Sequence, residues 1–331
     1  MFLKTYPLLH KKGQLTLNDI NRKELTKQAT ELGFIRDTFE KMCRLAGLFK
    51  FFERDPVLSN YLALKGGTAI NLTIFNLPRL SIDIDLDFAE NLPLAEMMEI
   101  KEIIRITIRQ YMSMNDYIRS DKSKEYHTLD SDVYQYTNTG GVKDNIKIEI
   151  NYSLRSHILP LSKRSIETLG IFEPAEVLSL DPIEIFAAKI SALISRAAAR
   201  DLYDVNNMVT FGLFDKSQTD MLRKCVVFYI AVSSEETPLD ISLSKMDELV
   251  FHDIRTKLTP VLRKTDKFDL NFAKSRVKMY LNTILQLNED DTHFLSSFKK
   301  GEYHPELLFN GDELVRVADH PMALWKMQNR K

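Results

Sequence analysis

The sequence predicts an α+β chain. A domain built on a small mixed β-sheet, with helical cover at its start, spans residues 1–178, and a mainly helical C-terminal domain spans 179–331. Three observations carry this prediction. Residues 82–88 and 145–152 alternate strictly between apolar and polar side chains, as strands with one face in a core do. Residues 34–52 and 94–114 repeat apolar side chains near every 3.6 positions, as amphipathic helices do. From residue 206 the chain reads as helices separated by loops at 233–238 and 260–269.

The 331 residues suffice for two domains, and 44% hydrophobic content is ordinary for a globular protein with a sizeable core. Lysine plus arginine (45) nearly cancels aspartate plus glutamate (46), so contact with nucleic acid must rest on a local patch. Cys43 and Cys225 form neither a disulfide framework nor a zinc pattern and read as buried or free thiols, with no structural zinc expected. The first residues lack the apolar run of a signal peptide, and the apolar segment 225–232 is too short to span a bilayer. The expected compartment is cytoplasmic, with no membrane partner. P-loop, dinucleotide-binding, hydrolase-elbow and His-Glu-x-x-His motifs are absent from the sequence, and none of its seven histidines lies at metal-ligand spacing from another.

Taken in order, residues 16–20 can start a helix. Phe34, Ile35, Phe39, Met42, Leu45, Ala46, Leu48 and Phe49 then mark one face of a helix that covers the sheet. Residues 57–64 lead into Gly66-Gly67-Thr68. Two glycines let the backbone approach a ligand, Thr68 is placed to cap a helix over 69–75, and amides at a helix start favour phosphate. Lys65 reads either as a phosphate contact or as a solvated lysine.

The next run sets Ile82, Ile84, Leu86 and Phe88 on one side and Ser81, Asp83, Asp85 and Asp87 on the other. Carboxylates two residues apart on a strand are roughly 7 Å apart, and each such pair costs about 2 kcal/mol at an effective dielectric near 20. A divalent cation relieves that repulsion, and hard oxygen donors select Mg²⁺ or Mn²⁺. The other reading of the run is the wet face of an edge strand. The neighbouring glycine turn favours the first, because a phosphate cradle beside paired carboxylates is what two-metal nucleotidyl transfer requires.

Met97, Met98, Ile100, Ile103, Ile104, Ile106 and Ile108 assign the helix over 94–114 to the core. Residues 119–145 are mostly polar, with Tyr134-Gln-Tyr136 as a short strand. In the second alternation Ile146, Ile148 and Ile150 oppose Lys147, Glu149 and Asn151. If this strand lies beside 82–88, Glu149 completes a triad with Asp83 and Asp85; otherwise it is an exposed edge glutamate. Asp181, Pro182 and Glu184 read as cap, first residue and box of a helix running at least to Tyr203. On one helix Lys189, Arg196 and Arg200 fall within about 40° of each other. That stripe is a solvated face or suits a triphosphate tail. Lys274, Arg276 and Lys278 beside Tyr280 grip RNA phosphates or form a plain exposed face.

Leu64-Lys-Gly-Gly-Thr-Ala-Ile-Asn-Leu72 and Arg79-Leu-Ser-Ile-Asp-Ile-Asp-Leu86 together resemble the DNA polymerase β-like nucleotidyltransferases. More closely, they resemble the AbiEii/AbiGii toxin family. The resemblance extends to Lys189-Ile-Ser-Ala-Leu193, Arg200-Asp-Leu-Tyr-Asp204 and His320-Pro-Met-Ala-Leu-Trp-Lys326, covering about residues 35–327. It implies a polymerase β-like domain whose metal ligands are Asp83, Asp85 and Glu149. The implied nucleotide contacts are Gly66, Gly67, Thr68, Arg79, Ser81, Lys189, Arg196 and Arg200. Lys189 and Asp204 would be brought to the cleft by the C-terminal domain, the first for nucleotide phosphate and the second as an activating base, while Asp201 is an alternative partner for an arginine. The cofactor implied is Mg²⁺ or Mn²⁺, and the substrate an NTP.

In function, the resemblance implies the toxin of a bacterial toxin–antitoxin or phage-defence pair, with a cognate antitoxin as partner. The acceptor implied is the 3′ end of tRNA, whose blockage stops translation. Other readings transfer the nucleotide to a protein hydroxyl, or make the chain a non-catalytic nucleotide-binding regulatory module. A metal-dependent nuclease is a further alternative, but it leaves the glycine turn and the phosphate lysine without a purpose.

Overall fold

The computed structural model describes residues 21–75, 77–167 and 174–329. The helix start expected at 16–20 lies outside them. The chain divides into two compact units. One comprises Met1–Arg155, Leu161–Leu180 and Val261–Thr265; the other comprises Ser156–Pro160, Asp181–Pro260 and Asp266–Lys331.

In the first unit, α1 (Arg22–Leu32) and α2 (Arg36–Arg54) precede α3 (Pro56–Tyr61) and β1 (Leu62–Leu64). Asp55 separates α2 from α3: its carboxylate accepts from the Val57 and Leu58 amides, both at 2.9 Å, and Pro56 supplies the pre-set φ of a first helical position. A short helix α4 (Gly66–Ala69) continues as a π-helical turn over Ile70–Ile74 and is followed by β2 (Asp83–Phe88) and α5 (Leu94–Met114). Then come β3 (Ile118–Arg119), β4 (Lys124–Glu125), β5 (Leu129–Thr137), β6 (Lys143–Asn151), β7 (Ser162–Ser165) and β8 (Glu176–Ser179). Among the described residues these make one eight-stranded sheet, ordered β3-β5-β6-β2-β1-β8-β7 with β4 also on β5. It is mixed, as expected, with β2–β6 and β1–β8 parallel and the other pairs antiparallel. It is larger than the small sheet the two alternating runs predict.

Helices α2 and α5 cover the apolar face. Phe49 and Phe52 of α2 line one small cavity together with Leu64, Leu86 and Val177 of the sheet. Phe51 stacks on Tyr111 of α5 at 3.9 Å. Helix α5 occupies the expected range, but its buried face is Met97, Lys101, Ile104, Ile108 and Met112. Ile103 and Ile106, expected in the core, are half exposed, because steps of 100° from Ile104 carry them around the helix. Strand β5 is nine residues long rather than the short piece centred on Tyr134 and Tyr136. It pairs with β6 along its whole length.

In the second unit, Asp181 caps α6 (Pro182–Arg196) by accepting from the Ile183 amide at 2.8 Å. Glu184 does not close a box. Fully buried, it accepts from the amides of Ile158 (3.1 Å) and Leu159 (3.0 Å) and from the Tyr229 hydroxyl (2.5 Å). Burial raises its pKa, against the opposing pull of His157, Tyr229 and the two amides. The helix also stops short of Tyr203. Ala197 takes a left-handed conformation (φ +47°) and α7 (Ala199–Thr210) starts afresh, so Arg200 is not on the helix of Lys189 and Arg196.

Beyond lie α8 (Lys216–Ser233), α9 (Phe251–Asp253), α10 (Leu270–Ile284), α11 (Glu289–Lys300), α12 (Gly311–Val317) and α13 (Pro321–Gln328). Buried His320 opens α13: its Nδ1 accepts from the Ala323 amide at 3.3 Å and its ring meets Phe228 edge-on at 5.1 Å. Trp325 is 55% exposed, so packing accounts for the histidine of the tail signature but not for the tryptophan. Cys43 and Cys225 are buried free thiols. Among the described residues no helix is long and apolar enough to cross a membrane.

Candidate active site

Strands β2 and β6 are parallel and in register, with Asp83 opposite Lys147, Asp85 opposite Glu149 and Asp87 opposite Asn151. Registered residues of adjacent strands share a face, and the strands are about 4.8 Å apart. Asp85 and Glu149 therefore stand side by side, with Asp83 one pleat along. Ile84, Leu86, Ile146, Ile148 and Ile150 are buried on the other face. The adjacency on which the triad depends is present.

Asp87 differs from its two neighbours. It is 1% exposed and ion-paired to Lys65 Nζ at 2.5 Å. Burial raises its pKa despite the pull of that lysine. Lys65 is thus ion-paired rather than a freely solvated lysine. It ties the residue before the glycine turn to the far end of β2.

The turn itself is pressed against the carboxylates. Gly66 has φ +66°, and a Cβ there would stand 2.6 Å from Asp85 Oδ2. A Cβ on Gly67 would stand 2.6 Å from Arg79 Nη2. Gly66 therefore requires glycine through its backbone conformation, whereas a side chain at Gly67 would push the Arg79 guanidinium aside. The helix begins at Gly66 with Lys65 at the cap position, its side chain not bonding the helix amides, so Thr68 is not the cap. The Thr68 hydroxyl instead meets Ser81 Oγ at 2.7 Å and donates to the Asp83 carbonyl. Arg79 is 1% exposed and donates through Nη1 to the Leu80 carbonyl at 3.0 Å. An antiparallel bridge joins Arg79 to Leu262, and the Leu80 amide donates to the Val261 carbonyl at 2.8 Å. Thr68, Arg79 and Ser81, all buried, brace the turn against β2 from within.

Glu149 Oε2 lies 2.7 Å from Lys147 Nζ, with the two side chains 30% and 37% exposed. Among the described residues, no group of three or more His, Cys, Asp or Glu is closed into a ready-made metal site. Lys147 is the partner that the Glu149 carboxylate takes along β6. The donor set still suits a hard divalent cation: three carboxylates share one face at adjacent register positions, beside a turn kept open by glycine.

The remaining expected residues belong to the second unit. Lys189 Nζ sits 2.9 Å from Asp201 Oδ1 and 3.4 Å from Asp204 Oδ2, and Arg196 Nε sits 3.0 Å from Asp201 Oδ2. Burial alone would raise the Asp201 pKa, but the charges and hydrogen bonds of Lys189 and Arg196 more than offset it and hold the value low. Asp201 thus bridges the lysine as well as an arginine. Arg200 stands one residue before it on α7. The patch on α10 is tied down: Lys278 pairs with Asp247 at 2.6 Å, and Lys274 donates to the Asp247 and Leu249 carbonyls. The sequence reading overlooked the Lys147 and Lys65 ion pairs. Strand parity held the clue to the first, because Lys147 shares a face with Glu149.

The profile of the family described as nucleotidyl transferase AbiEii toxin, type IV TA system, matches residues 50–290, well over half of the chain. No curated protein matches it. Among solved structures, the chain is similar to the nucleotidyltransferase toxin MenT4 from Mycobacterium tuberculosis H37Rv, with a TM-score of 0.64 and 16% identity. That likeness covers 92% of this chain and 99% of the other, and it is one of fold.

Proposed function

We propose a reaction for this chain, which belongs to the AbiEii nucleotidyl transferase toxin family of type IV toxin–antitoxin systems: it moves a nucleoside monophosphate from an NTP to the 3′ end of tRNA. The terminal hydroxyl oxygen attacks the α-phosphorus, the bond to pyrophosphate breaks, and the capped tRNA no longer accepts an amino acid. Such an activity would serve phage defence, held in check by a cognate antitoxin.

The observation that carries the reading is the Asp85–Glu149 register pair with the Gly66 turn lying against it. Asp83, Asp85 and Glu149 would hold Mg²⁺ or Mn²⁺, which when bound supplies Lewis acidity to the acceptor oxygen and to the leaving pyrophosphate. Gly66 and Gly67 bring backbone close to the phosphates, with Thr68, Ser81 and Arg79 fixing the turn from behind. Lys189, Arg196 and Arg200 meet the phosphate charge. Asp204 is fully buried and close to Lys189, which supports a role in aiming that lysine rather than in taking the acceptor proton.

The test is incubation of the purified protein with each α-labelled NTP, total tRNA and Mg²⁺ or Mn²⁺, followed by gel separation. Label at the tRNA 3′ end is expected. Label that survives RNase and is lost to trypsin would move the acceptor to protein, and no label on any acceptor would remove the reading.

A further inference from the structure

Lys147 has no part in the reaction as proposed, yet it stands inside the acidic face. It registers with Asp83 across the parallel β2–β6 pair and is ion-paired to Glu149 two residues along its own strand. Its side chain is 37% exposed, so this cation is not buried for packing. The pair is too open to the solvent to contribute much to the fold, since exposed pairs are worth about 1 kcal/mol or less. Its effect falls on the carboxylates. A divalent ion that takes Glu149 must displace the ammonium and then sit near it.

We infer that Lys147 is the resident counter-ion of the carboxylate site, holding Glu149 until a divalent cation replaces it and thereby setting the affinity for that cation. This rests on the reading of Asp83, Asp85 and Glu149 as metal ligands. Lys147 is a positioning residue in this scheme and touches no reacting atom. An ammonium roughly 7 Å from a doubly charged ion in a wet cleft, after screening, weakens binding by about tenfold.

The test measures Mn²⁺ binding without nucleotide, by the loss of the free-ion electron paramagnetic resonance signal. It compares the wild-type protein with Lys147→Met, Lys147→Arg and Glu149→Gln, after thermal melts confirm that each variant is folded. Lys147→Met is expected to bind Mn²⁺ about tenfold more tightly, Lys147→Arg as the wild type does, and Glu149→Gln more weakly than either. Equal or weaker binding by Lys147→Met, with Glu149→Gln still impaired, would overturn the counter-ion role and leave the metal ligands standing. Absence of binding by both the wild-type protein and Lys147→Met would remove both.

Discussion

The two faces of the sheet in the first unit both carry acidic residues, and they treat them in opposite ways. On the covered face, Asp130 and Asp132 of β5 register with Ile150 and Ile148, and Asp130 is held by α5. Asp130 is 3% exposed and takes Arg105 through two bonds, at 2.9 and 2.6 Å, with Lys101 Nζ at 3.3 Å. Asp132 takes Arg119 at 2.8 Å and the Tyr134 hydroxyl at 3.1 Å. On the other face, Asp83, Asp85 and Glu149 stand beside a glycine turn and remain partly exposed. Acids that hold the fold together are interlocked with cations from α5 and β3 and removed from water. Acids that serve a reaction need a side open to a ligand. What separates them is accessibility, since the residue types are the same.

That contrast yields three predictions in falling order of effect. Asp85→Asn should lower nucleotide transfer on the order of a thousandfold or more, while the melting temperature stays near that of the wild type. Activity assays run beside thermal melts check it, and a large loss of stability would mean the open face is structural after all. Asp130→Ala should do the reverse. It strands Lys101, itself 1% exposed, without its carboxylate, and should cost about 3 kcal/mol in chemical denaturation. Activity per folded molecule should stay within about twofold of the wild type.

The smallest effect concerns Asp87, which lies on the open face by parity but is buried like Asp130. Its folded pKa is raised, so the native state binds the proton more tightly than the unfolded chain, whose aspartate titrates near 3.9. Its favourable contribution is fully present below that value and is lost as the pH rises through the folded one. Asp87→Asn should flatten that part of the stability–pH profile, as read by denaturation at a series of pH values.

The sequence made the open face easier to read than the covered one. Strands β2 and β6 and helices α2 and α5 stand where periodicity puts them, because in each the apolar residues face one core and the polar ones face away. Strand β5 was legible only around Tyr134 and Tyr136. Its inward positions include Asp130 and Asp132, and an acid facing a core looks in sequence like an acid facing water. Strands β1 and β7 add pairing without pattern, one being three residues long and the other Ser-Lys-Arg-Ser. The break at Ala197 was invisible for a similar reason. A left-handed residue is usually announced by glycine or asparagine, and here an alanine takes that conformation. In the candidate site, parity gave Asp83, Asp85 and Glu149, but the inward turn of Thr68, Ser81 and Arg79 depends on tertiary contacts that no local spacing encodes.

The short stretch Val261–Thr265 has a practical bearing. It lies far along the chain yet is part of the first unit, where Leu262 bridges Arg79 and Arg263 donates to the carbonyls of Leu32 (2.8 Å) and Leu77 (3.2 Å). A gene truncated near codon 180 would encode the sheet but omit the strap that pins the approach to β2. Studies of the acidic face therefore call for the undivided chain.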